Sequence, residues 1–227
     1  MVCAYKKTKG LRANNMKKLI MLISLIALPL HGITAWGEES LNTTDWVLVE
    51  QTDQIKVFTK KIIDRPSLRE IKAIIQVPQS PQTLLNLMMD YPNATTWRRR
   101  TKGMELVKTI DDNNWFVNYT TDLPWPLPDR LVLLKCKVTR DTASENIIYS
   151  FKSAPIKDGI EPEEQLEGEY RFISLANGQT EVTYKVIIES PVKAPAWLEN
   201  SLIGDAFLTQ MEMLREAVAL PKYISHN

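Results

Sequence analysis

Histidine, cysteine and glycine are scarce in this chain, and each shortage closes a class of chemistry. The two histidines are His31 and His226. The first falls in a segment read below as a leader and the second is the second-last residue, so nucleophilic catalysis that needs an internal imidazole base is excluded. The same shortage excludes His-rich zinc sites, and one mature cysteine does not replace them. The two cysteines are Cys3 and Cys136. With Cys3 in the leader, the mature chain has no intrachain disulfide, and Cys136 is expected to be a buried apolar side chain rather than a reactive thiol. Only Gly103, Gly159, Gly168, Gly178 and Gly204 follow residue 37, with neither a P-loop nor a G-x-G-x-x-G spacing. No cofactor, metal site or catalytic set is therefore expected.

The first 37 residues read as a secretory signal peptide. Lys6, Lys7, Lys9, Arg12, Lys17 and Lys18 precede an apolar run from Leu19 to Leu30, and Ala35-Trp36-Gly37 leads into Glu38-Glu39. The run is about 12 residues, against roughly 20 for a comfortable bilayer span. No cysteine follows it closely enough for lipid attachment, and Met16-Lys17-Lys18 would make a more ordinary start. Export to a bacterial periplasm is the expected localisation. The mature part then carries 22 basic against 27 acidic residues, a net of −5. That sign gives no footprint for nucleic acid. Residues 38–45 form a short lead-in, 46–221 one domain, and 222–227 a tail.

The domain alternates strongly. Ile55-Lys56-Val57-Phe58-Thr59 and Leu68 to Val77 read as strands, followed by a short helix from Pro81 with Ser80 as its N-cap. Strands are expected at 104–110, 114–121, 130–139, 146–153, 166–174 and 180–190, with Asp111-Asp112-Asn113 and Ala176-Asn177-Gly178 as turns. One face of each is apolar, as in Val132, Leu134, Cys136 and Val138, or Val182, Tyr184, Val186 and Ile188. Such strands form an antiparallel sheet covered on one side. Pro195 to Leu220 reads as the covering helix, with Ile203, Phe207, Met211, Leu214 and Val218 in a stripe and Glu199, Asp205, Glu212 and Glu216 elsewhere. The expected class is α+β: a curved antiparallel sheet wrapped around a long C-terminal helix, with room for an apolar cavity between them.

Four segments in order resemble the START lipid-binding domains of the helix-grip, Bet v 1-like superfamily. Trp46 with Ile55-Lys56-Val57-Phe58 resembles the family's opening "W…gIkVy" strand, and Asp90 followed by Trp97 its "D…W" segment. Pro124-Trp125-Pro126-Leu127-Pro128-Asp129-Arg130 is similar to the "PWPxxDR" loop, and Pro195-Ala196-Trp197-Leu198-Glu199-Asn200 to the "PxWLxN" start of the last helix. Leu131 stands where many relatives have Asp, which removes a polar contact of that loop. The resemblance implies non-covalent binding, with transfer as a further role, of a lipid or other hydrophobic small molecule. Some helix-grip relatives are cyclases or hydrolases, so an enzyme on an apolar substrate is the alternative; a ligand-free envelope interaction domain is another.

On that reading the ligand-binding candidates are Trp97, Tyr119, Trp125, Arg130, Cys136, Tyr149, Phe151, Tyr184, Ile203, Phe207, Met211 and Leu214. Trp197, Phe207 and Met211 taken singly read as plain core. Thr95 to Arg100 reads as an exposed segment with Trp97 embedded in it. Arg98-Arg99-Arg100 there fits either a solvated charge run or transient contact with an anionic headgroup or membrane surface. Arg130, entering an apolar strand, needs an acceptor in a protein carboxylate or a ligand headgroup. Glu161, Glu163, Glu164, Glu167 and Glu169 read as a solvated loop and outer face, with Glu169 and Asp122 the carboxylates an enzyme would need in its pocket.

Overall fold

A computed structural model describes residues 46–62, 64–65, 67–122, 128–155, 166–189 and 195–224. The leader, the lead-in, Trp125, Glu161, Glu163, Glu164 and His226 lie outside the described residues.

Alternation sets the strands. The first three are β1 (Val47–Gln51), β2 (Ile55–Lys61) and β3 (Leu68–Val77). In β3, Ile71, Ala73, Ile75 and Val77 are buried, while Lys72, Ile74 and Gln76 face the other way. Helix α1 (Pro81–Met89) follows, with the Ser80 hydroxyl accepting from the Thr83 amide at 3.2 Å and Pro81 in the first turn, where its missing N–H costs nothing. A 3₁₀ turn over Tyr91–Thr96 then leads into a meander: β4 (Thr101–Asp111), β5 (Asn114–Thr121), β6 (Arg130–Arg140), β7 (Ile147–Ser153), β8 (Glu167–Ser174) and β9 (Thr180–Glu189). The β4–β5 turn is held by Asp111, whose carboxylate accepts from the Asn113 amide at 2.8 Å. The β8–β9 turn places Gly178 at φ +77°, a conformation in which a Cβ would be strained.

The nine strands form one antiparallel sheet in the order β1-β2-β3-β9-β8-β7-β6-β5-β4. The strand β3 joins the first three strands to the meander by pairing with β9, Leu68 opposite Glu189 and Val77 opposite Thr180. Helix α2 (Ala196–Val218) lies over β1, β2 and β3, and α1 lies over β7 and β8. Ile203, Met211, Leu214 and Val218 of α2 are buried as the stripe requires. Gly204 sets how closely α2 approaches β1: a Cβ there would sit 2.8 Å from Glu50 Cβ and 3.2 Å from the Val49 carbonyl oxygen. No helix among the described residues is long and apolar enough to cross a membrane. The architecture is the expected one, a curved antiparallel sheet gripping a C-terminal helix.

Trp97 is fully buried while Thr95, Thr96, Arg99 and Arg100 around it are exposed, as an exposed segment with an embedded tryptophan requires. Two side chains of α2 depart from expectation. Trp197 is 72 % exposed rather than core. Glu199, a charged residue of α2, is 4 % exposed and therefore points inward.

Candidate functional site

The inner faces of β5 to β9 carry aromatic side chains that face α2. A cavity of about 260 Å³ remains between them. Its sheet side is built from Tyr119, Leu134, Tyr149, Phe151, Tyr170 and Tyr184, and its helix side from Leu202, Ile203, Ala206, Phe207 and Gln210. Tyr170 and Tyr184, neighbours across β8 and β9, stack in parallel with ring centres 4.1 Å apart. Phe207 of α2 leans on Tyr184 at 5.7 Å, which joins the two walls. Phe151 occupies the space over Gly168, where a Cβ would lie 2.6 Å from the ring and 2.6 Å from the Lys185 carbonyl oxygen. The glycine is thus required by the fixed Lys185 carbonyl and by the ring that lines the cavity.

The third wall is the segment after the 3₁₀ turn. Arg98, Arg99 and Arg100 all line the cavity, Arg99 and Arg100 exposed at its rim. Arg98 is half-buried as a residue and its Nε is fully enclosed with no hydrogen-bond partner. Its guanidinium lies 4.5 Å from the Trp97 ring centre and 5.7 Å from that of Tyr170, with Nη2 3.4 Å from Met88 Sδ. Burial works against its charge, yet its pKa stays above an already high ordinary value, so it is a cation at physiological pH. Among the described residues no carboxylate pairs with it, and none lines the cavity.

Gln210 fixes this wall to α2. Its Nε2 donates to the Trp97 carbonyl at 3.0 Å, and its Oε1 accepts from the Arg99 amide at 2.9 Å. The phenols of Tyr149 and Tyr184 are held well above their ordinary range by burial, and that of Tyr170 is raised for the same first reason. All three remain neutral at physiological pH and offer hydrogen bonds, not bases.

Six of the expected binding residues line this cavity: Tyr119, Tyr149, Phe151, Tyr184, Ile203 and Phe207. Cys136, Met211 and Leu214 are buried core beside it, and Trp97 backs Arg98 from behind. Cys136 accepts a hydrogen bond from the Tyr149 hydroxyl at 3.3 Å, and burial pushes its thiol up to about 11. Arg130 corrects the expectation of a partly buried arginine: it is exposed at the start of β6, so it needs no buried acceptor, and it does not reach the cavity. Glu169 lies on the outer face of β8, paired with Arg171 at 2.6 Å, and Asp122 is exposed. Tyr170 and Gln210 also line the cavity, and so does Arg98, one of the three arginines for which the sequence allows headgroup contact. Tyr170 shows a signal in its alternation with Phe172 and Arg98 one in its arginine run; Gln210 shows none, because its partners Trp97 and Arg99 are far away in sequence.

No protein-family model matches the chain. It is 26 % identical over 205 residues to an uncharacterized protein of Pseudomonas aeruginosa, spanning 87 % of this chain and 96 % of that protein. Its structure is similar to that of a STAR-related lipid transfer protein from Xanthomonas axonopodis, with a TM-score of 0.64 at 18 % identity over 78 % of this chain and 99 % of the other. Human StAR-related lipid transfer protein 5 superposes with a TM-score of 0.62 at 13 % identity, over 78 % of this chain and 88 % of that one. The fold is the START-type helix-grip fold.

Proposed function

We propose that this protein binds a lipid or other hydrophobic small molecule non-covalently and moves it within the bacterial envelope. The observation that carries the reading is the aromatic-walled cavity between β5–β9 and α2. Moving an acyl chain from water into such a space gains about 0.8 kcal/mol per methylene. The proteins that share the fold include lipid transfer proteins by name, which supports the same role. The cavity of about 260 Å³ is slightly below the usual 300–1,000 Å³ of ligand pockets, so uptake requires α2 or the 98–100 segment to move outward.

A membrane would meet the rim. Arg99 and Arg100 are exposed there, and Trp197 and Leu202 at the start of α2 leave large apolar surface in water. Each arginine near an anionic bilayer contributes about 1 kcal/mol. The envelope location rests on the leader read in residues 1–37.

A non-enzymatic role fits the lining. Hydrolase or cyclase chemistry would need a pocket acid or base, and the described lining supplies neutral phenols and a fixed cation. The test is to express the full chain, recover the periplasmic fraction, and measure its intact mass under native conditions before and after lipid extraction. The expected result is an extractable apolar adduct on a chain that begins near Glu38. A protein that is always empty and takes up no uncharged fluorescent probe overturns the reading.

A further inference from the structure

We infer that the molecule held in this cavity carries one acidic headgroup, a carboxylate or phosphate, and that Arg98 receives it. The inference deepens the proposed binding function and rests on it. Arginine presents five N–H donors in a fixed plane and keeps its charge at every accessible pH. Around Arg98 the described residues supply two ring faces and one thioether sulfur, with Nε enclosed and unpartnered. Ring faces and sulfur are weak acceptors, so the hydrogen-bonding capacity of the cation is largely unmet. A buried charge needs a counter-charge or strong acceptors close by. Elsewhere in this same chain the rule is kept: the buried Arg69 meets a buried carboxylate, Glu199, through two contacts of 3.0 Å. At Arg98 the carboxylate is missing from the described lining, and the space where one would lie is the cavity.

The surroundings favour the same occupant. Trp97 and Tyr170 flank the guanidinium and leave its edge as the part able to bond. The neutral phenols add donors rather than competing anions. Arg99 and Arg100 at the rim draw an anion toward the opening. A planar guanidinium accepts carboxylate or phosphate oxygens in pairs, which an alcohol or a sterol-like hydroxyl does not offer.

The full chain, delipidated, is loaded with the uncharged probe N-phenyl-1-naphthylamine, and displacement by single-chain competitors of equal length is measured: hexadecanoate, hexadecyl phosphate, hexadecanol and hexadecylamine. The two acids are expected to bind about tenfold or more tighter than the alcohol, as charged hydrogen bonds allow, with the amine weakest. In Arg98→Gln the advantage of the acids is expected to vanish while the alcohol binds as before. Arg98→Lys, which keeps the charge, is expected to retain part of it. A wild-type pH series covers the case in which Arg98→Gln does not fold: the hexadecanoate advantage disappears as its carboxyl protonates, and that of hexadecyl phosphate persists to lower pH. That difference also tells a fatty acid from a phosphate lipid. Equal binding of alcohol and acids, or an Arg98→Gln protein that still discriminates, overturns this inference alone. If neither the probe nor any competitor binds, the binding function itself falls.

Discussion

Arg69 and Glu199 form a buried ion pair between β3 and the first turn of α2, with Nη2 3.0 Å from Oε2 and Nε 3.0 Å from Oε1. The parallel geometry satisfies both carboxylate oxygens, and the helix N-terminus adds its own attraction for the anion. The pair pins the start of α2 to the sheet, so opening of the cavity has to involve the rest of the helix or the arginine segment.

Removing one partner leaves the other charge stranded in the interior. Glu199→Ala is expected to destabilise the fold by about 3–5 kcal/mol. Replacing both, as Arg69→Met with Glu199→Leu, should recover most of that loss. Urea denaturation of the two single variants and the double variant checks it; a double variant as unstable as the sum of the singles refutes the account.

Gly204→Ala tests how tightly α2 is seated. In an ordinary helix interior this change gains about 1 kcal/mol. Here the added methyl would meet Glu50 Cβ at 2.8 Å and the Val49 carbonyl at 3.2 Å, atoms near the β1 backbone that have little freedom to withdraw. The expected sign is therefore reversed, a loss of about 1–3 kcal/mol from overpacking. A lower melting temperature agrees and a higher one does not.

Gln210→Ala removes both hydrogen bonds from α2 to the Trp97–Arg99 backbone. Each is worth about 1 kcal/mol. Hydrogen exchange at the Arg99 amide should accelerate, dissociation of a bound apolar probe should quicken, and the melting temperature should fall by several degrees. An unchanged release rate would remove this contact from the opening motion.

The buried thiol and phenol predict alkaline instability. Burial raises Cys136 from 9.0 to about 11 and Tyr91 from 10.0 to about 12. Each holds its proton more tightly when folded, so its contribution is fully present below the unfolded value and is lost as pH rises through the folded one. Stability should fall by about 1.4 kcal/mol per pH unit for each group titrating in that window. Cys136→Ala should flatten the slope between pH 9.0 and about 11 while leaving the later loss in place. Urea midpoints measured across this range read both effects.

The strands and both helices were legible because burial there follows a simple period. Trp197 and Glu199 show where that legibility ends. At 3.6 residues per turn both sit roughly 80° from the centre of the Ile203–Val218 stripe, on opposite flanks. Periodicity ranks them equally, and hydrophobicity ranks the tryptophan as the inner one. The protein does the reverse, because Arg69 waits on β3 beneath one flank and the described residues leave the other uncovered. Arg98 is a partial case. In a run of three arginines it reads as either solvated or in contact with a headgroup, and the turn at Trp97 with the packing of Met88 and Tyr170 is what brings it to the cavity.

The pairing of β3 with β9 orders events during synthesis. Until Thr180–Glu189 has left the ribosome, β3 has one open edge and the first three strands have no inward neighbour. Nascent chains that stop short of this point present Ile71, Ala73 and Ile75 beside unpaired amides, a surface prone to self-association. Nearly the whole polypeptide must therefore be made before the native sheet can be completed, which keeps the growing chain threadable for most of its translation.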